Sequence, residues 1–114
     1  MTSNTENSKK YLQCPLTNAM NVIGGKWKIV ILGHLLKKEK RFGELKRSIQ
    51  GVTQKMLTQQ LRELEKDGIV HREIYKEIPP KVEYSLTDFG KSLEPIVNQL
   101  WSFGEEIIEN KTKA

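Results

Sequence analysis

RFGELKRSIQGVTQKMLTQQLRELEKDG, residues 41–68, reads as two short helices joined by a glycine-containing turn. Phe42, Leu45 and Ile49 recur at helical spacing and would bury one face of a first helix over about Phe42–Ile49. Gly51 supplies the left-handed backbone that a sharp change of direction needs. Val52 is placed to plug that turn, and the Thr53 hydroxyl is placed to cap the next helix. Leu57, Leu61 and Leu64 then line one side of this second helix, over about Gln54–Asp67, which Gly68 closes. Helix, short turn, helix is the helix-turn-helix outline, expected here over about residues 42–67.

The chain on either side narrows the fold. Downstream, Ile69–Ile78 is rich in β-formers, and Val82, Tyr84 and Leu86 alternate with Glu83 and Ser85 as in a half-buried strand. Pro79 and Pro80 lie between the two runs; neither can donate a ladder hydrogen bond, so they belong at a hairpin tip. A two-stranded wing over about residues 69–86 is expected. From Thr87-Asp88 to about Asn110 the spacing predicts one long helix with a stripe of Phe89, Leu93, Ile96, Leu100, Phe103 and Ile107, widened by Val97, Trp101 and Ile108. Pro95 lies inside that run and should kink it. Upstream, Cys14-Pro15 opens a short helix with Leu16, Ala19, Met20 and Ile23 on one face, ended by Gly24-Gly25. A second helix runs from Lys26 through Trp27, Val30, Ile31, Leu32 and Leu35 until the basic segment Lys37–Arg41 breaks it. The expected fold is mainly α with a small β-hairpin (α+β): a winged helix-turn-helix flanked by N- and C-terminal dimerisation helices. It fills one domain over residues 13–110, after a flexible arm over residues 1–12.

A chain of 114 residues has room for one domain of this kind. No apolar run approaches the ~20 residues of a membrane-spanning helix. Residues 1–10 are polar and lack the apolar centre of a secretory signal, so a cytoplasmic location is expected. The net charge of +5 is unevenly spread. Residues 37–47 carry +4, whereas residues 83–114 carry −3. A basic middle beside an acidic end is the footprint of a phosphate binder with a separate element turned away from nucleic acid. His34 and His71 are far apart and Cys14 is the one cysteine, so no metal-ligand spacing exists. No phosphate-binding glycine loop, serine elbow or catalytic carboxylate pair occurs, which leaves an enzymatic reading without support and no cofactor expected. Glu63/Glu65 and Glu105-Glu106 read as solvated helix faces.

The order of short motifs resembles the HxlR-type bacterial regulators. Cys14-Pro15, Gly24-Gly25-Lys26-Trp27 and Arg41-Phe42-Gly43-Glu44-Leu45 carry the resemblance at the start. It continues through Leu57-Thr58, Leu61-Arg62-Glu63-Leu64-Glu65, Asp67-Gly68, Pro79–Tyr84 and Leu86-Thr87, and covers about residues 14–104. The resemblance implies a winged helix-turn-helix related to the MarR type, a homodimer, and control of transcription by binding double-stranded DNA.

With Leu57, Leu61 and Leu64 inward, the opposite face of the second helix holds Gln54, Lys55, Thr58, Gln59 and Arg62. These are the expected base readers: Gln can pair with adenine, Lys or Arg with guanine, and a threonine methyl can touch thymine. Arg62 has a rival use, a salt bridge to Glu63 or Glu65 on its own helix. Lys26, Arg41, Lys46, Arg47 and Thr53 are candidates for the phosphate side, and Lys76 and Lys81 for the wing. One head reads too few base pairs for a genome, so two heads on a roughly palindromic operator are expected. The C-terminal stripe (Phe89, Leu93, Ile96, Val97, Leu100, Trp101, Ile107, Ile108), with Leu16 and Met20, is assigned to the dimer interface. Cys14 has two readings: a small residue at a helix start, or a thiol activated by the helix dipole and by nearby Lys9 and Lys10 that responds to oxidants or electrophiles. A winged-helix module that binds protein instead of DNA is the alternative function; its surface would usually show aromatics and aliphatics in place of this basic, amide-rich face.

Overall fold

A computed structural model describes residues 14–113; the expected arm over residues 1–12, with Lys9 and Lys10, lies outside them. Helix α1 (Pro15–Ile23) starts with Cys14 as its N-cap and ends at Gly24, whose N–H donates to the Met20 carbonyl. Helix α2 (Lys28–Lys37) begins two residues later than expected, because Trp27 serves as its N-cap and turns its ring into the core. The two motif helices come next as α3 (Phe42–Ser48) and α4 (Gln54–Lys66). Gly51 between them has a φ of +89°, a backbone that a side chain would strain.

The sheet is larger than the hairpin expected from the sequence. Strands β2 (Val70–Tyr75) and β3 (Lys81–Leu86) form the wing, antiparallel, with Val70 opposite Leu86 and Tyr75 opposite Lys81. A third strand, β1 (Lys40–Arg41), pairs with the other edge of β3, so the order is β1-β3-β2. Two residues carry no alternation to detect. Their extension stems from Arg41 being the N-cap of α3, with φ −81° and ψ 162°.

The expected single C-terminal helix is two. Helix α5 (Asp88–Lys91) is one turn, capped by Thr87, and α6 (Glu94–Lys113) is the long one. Pro95 does not kink a continuous helix; it lies in the first turn of α6, where its missing N–H is not needed. Continuing α5 through it would have left the Lys91 carbonyl without its donor. The Thr87 hydroxyl donates to the Gly68 carbonyl at 2.6 Å and accepts from Gly90 N–H at 3.0 Å, tying the end of the wing to the end of α4.

The core gathers Ile31, Leu32 and Leu35 of α2, Leu45 of α3, and Leu57, Leu61 and Leu64 of α4 under Ile69, Val70 and Leu86 of the wing. It locks the wing against the two motif helices, while α6 lies along α2 at the far side. Among the described residues, no helix is long and apolar enough to cross a membrane.

Candidate nucleic-acid interface

Helix α4 is rigidly mounted. Its three leucines are fully buried, and its first turn is capped by the Thr53 hydroxyl, which accepts from Met56 N–H at 3.1 Å. The opposite face is polar throughout. Gln54, Lys55, Thr58, Gln59 and Arg62 come together around one open concavity of about 620 Å³, joined there by Glu63. Thr58 donates its hydroxyl to the Gln54 carbonyl at 2.8 Å, which leaves its methyl as the group it can offer outward.

Two of the acids expected to be solvated are engaged. Glu63 Oε1 accepts from the Lys28 ammonium at 2.7 Å, and its Oε2 accepts from Gln59 Nε2 at 3.3 Å. Lys28 holds the Glu63 carboxyl below its usual range, and Gln59 adds to the effect. Glu65 lies 3.7 Å from Arg72 of β2. No described carboxylate pairs with Arg62, so neither intrahelical partner weighed for it is used. Sequence reasoning missed Lys28 entirely. It sits 35 positions from Glu63, and a lysine in a first helical turn carries no sign of burial.

The flanking cations are spread around this face. Lys46 and Arg47 are exposed in the last turn of α3, and the Arg47 guanidinium lies back over Gly43. Arg41 donates its backbone N–H to Glu44 Oε1 at 2.9 Å, a bond that keeps the Glu44 carboxyl low, while its side chain is exposed. The Lys26 ammonium stands 4.8 Å above the Trp27 ring. On the wing, Lys76 is exposed just beyond β2. Lys81 is less free: it lies 3.5 Å from Glu83 and 4.9 Å over the Tyr75 ring, whose hydroxyl also donates to Glu83. That hydrogen bond and the Glu83 charge push the Tyr75 phenol up. The wing therefore offers Lys76 as its open cation and Lys81 as a partly neutralised one.

The residues assigned to a dimer interface divide into two groups. Leu16, Met20, Phe89, Ile96, Leu100, Trp101, Ile107 and Ile108 are exposed, Trp101 at 68% and Leu16 at 77%. Leu93 and Val97, by contrast, lean on the core of their own chain. Leu100, Trp101 and Ile108 of α6 face Ile29, Val30 and His34 of α2 across an open groove of about 730 Å³. Burial holds the His34 pKa below its usual value, and Lys37 and Lys40 push the same way. Cys14 is half-buried at the start of α1. The Thr17 hydroxyl, with the Thr17 and Leu16 amides, holds its thiol below the ordinary range. Among the described residues, no group of His, Cys, Asp and Glu could hold a metal ion.

Residues 22–112 match the model of the HxlR-like helix-turn-helix family. The chain is similar to the HTH-type transcriptional regulator YybR of Bacillus subtilis (strain 168), with 58% identity over 81% of this chain and 74% of that protein. It is also similar to two solved structures of the redox regulator HypR. The oxidised form matches at 57% identity over 82% of this chain and 96% of the other, with a TM-score of 0.79. The reduced form matches at 51% identity over 89% of this chain and all of the other, with a TM-score of 0.81. These relatives are regulators, not enzymes.

Proposed function

This chain belongs to the HxlR-like helix-turn-helix family of DNA-binding transcriptional regulators, and from that premise we propose that it is a homodimer that reads a roughly palindromic operator. The observation that carries the proposal is the face of α4, where four side chains able to pair with base edges and the Thr58 methyl line one concavity above a buried leucine seam. Gln54 and Lys55 lie at the N-terminal end of α4, the end that meets bases when such a helix enters a major groove. Lys46, Arg47, Arg41 and Lys26 contact phosphates on either side and set affinity and register. Lys76 and Lys81 track the backbone from the wing, and Thr53 brings the N-terminus of α4 to a phosphate while it caps the helix.

A second copy supplies the other half-site, centred about 10 bp away. The exposed apolar side chains of α6, with Leu16 and Met20 of α1, are the surface through which the copies join. The acidic C-terminal region stays off the DNA. The regulator works in the cytoplasm, and its signal is an oxidant or electrophile that acts on Cys14. Two Cys14 thiolates give two electrons to the oxidant and close one disulfide between protomers, or one thiolate is alkylated by an electrophile. The lowered thiol pKa and the likeness to the two forms of HypR support this part.

An electrophoretic shift on DNA flanking its own gene tests the reading, run at several salt concentrations with and without mild oxidant. The expected result is a discrete complex on one sequence whose affinity falls steeply with salt. It should change with oxidant in the wild type and not in Cys14→Ser. No complex on any DNA would leave a protein-binding module as the alternative.

A further inference from the structure

We propose that Lys28 and Glu63 form a positioning relay that fixes the amide of Gln59, so that this side chain reads an amino-bearing base at one step of each half-site. The proposal rests on the operator-reading role proposed for α4. Among the described residues, Lys28 is the one buried charged side chain, and it belongs to α2, outside the helix-turn-helix. Its ammonium meets one oxygen of Glu63 at 2.7 Å, and the other oxygen accepts from Gln59 Nε2 at 3.3 Å. Glu63 stands one turn beyond Gln59 on α4, so the two meet on the same stripe of the reading face.

An ionised carboxylate can only accept, and this fixes which end of the Gln59 amide faces it. The nitrogen gives one of its two hydrogens to Glu63, and Oε1, which has no partner among the described residues, is left as the acceptor for a base in the groove. A freely turning glutamine can lead with either end. Held this way, it leads with an acceptor. In the major groove, adenine N6 and cytosine N4 are donors, whereas guanine O6 and thymine O4 are acceptors. The relay therefore favours A or C on the contacted strand and disfavours G or T. Burying an ammonium is a costly way to fill space that a methionine could fill, which argues that Lys28 is there to hold Glu63.

The test starts from the site that the wild-type protein selects from a random DNA library, with affinity measured on it and on every single base-pair variant. Gln59→Ala identifies the step that Gln59 reads. At that step, wild type should prefer an amino-bearing base about tenfold or more. Glu63→Ala and Lys28→Met should each reduce the preference there to about threefold or less, with the ranking at the other steps retained. Adding Glu63→Ala to Gln59→Ala should change nothing further at that step. The proposal is overturned if either single variant leaves the preference intact, or weakens discrimination equally at every step. Thermal unfolding checks each variant. Should Glu63→Ala not fold, because it strands the buried ammonium, Lys28→Met, which keeps the packing, carries the test. A wild-type protein without base preference at any step would overturn the operator-reading role itself, and the relay with it.

Discussion

Lys28 is 6% exposed, whereas the Glu63 side chain is 43% open to solvent, so removing one partner differs from removing the other. Glu63→Ala strands an ammonium in the core and should cost about 1–3 kcal/mol. Lys28→Met removes the charge and keeps the packing, and should be close to neutral. Thermal unfolding of both variants checks the order. Cys14 gives a second prediction. Its thiol is lowered first by the Thr17 hydroxyl, so at neutral pH more of it is thiolate than in free cysteine. Alkylation rate against pH should show a midpoint below that of a free thiol, and Thr17→Val should move it up. The sequence showed Cys14 at a helix start, but not what Thr17 does to it, since that depends on where a rotatable hydroxyl points.

The one-turn helix α5 docks at a close approach: Gly90 is buried against the Ile69 carbonyl, with which a Cβ would collide. Gly90→Ala should therefore cost about 1–3 kcal/mol, read as a lower midpoint in urea. The groove between α2 and α6 predicts a pH dependence. His34 has a folded pKa below its unfolded value of about 6.5. The unfolded chain thus binds the proton first, and the stability that the neutral ring contributes is present above about pH 6.5 and lost as pH falls through the folded value. The thermal midpoint should fall over that window, and His34→Gln should flatten the fall. Glu44 and Glu63 are lowered carboxylates whose contribution is lost only below about pH 4.5, so they do not obscure it. Helical and strand periodicity found most of the long elements. It missed β1, which has only two residues, and it joined α5 to α6 because the apolar stripe continues across the break.

In the proposed dimer, the two halves of the chain have separate tasks that charge keeps apart. The basic stretch 37–47 flanks the reading helix, whereas α6 holds four acids against two bases. Trp101 is 68% exposed on that helix beside Leu100 and Ile108. Trp101→Glu should give a monomer by sedimentation, since a carboxylate cannot be buried unpaired in an apolar interface. Its affinity for a two-half-site operator should fall by orders of magnitude, while salt-sensitive binding to unrelated DNA persists. A dimer that survives the substitution would move the interface away from α6.

What could be read from the residues alone was whatever recurs along the chain. The leucine spacing of α4 set its inward face and thereby its outward one, so the five polar residues of that outward face were legible together. Gly51, Thr53 and Pro79-Pro80 marked turns because their backbone chemistry is local. Folding was needed to bring distant residues into contact. Lys28 met Glu63, Lys81 met Glu83 and the Tyr75 ring, and Leu93 and Val97 joined the core while their neighbours on α6 stayed exposed. Periodicity fixes which way a side chain points from its own helix or strand; what it meets there depends on how separate elements pack, and a single sequence does not record that.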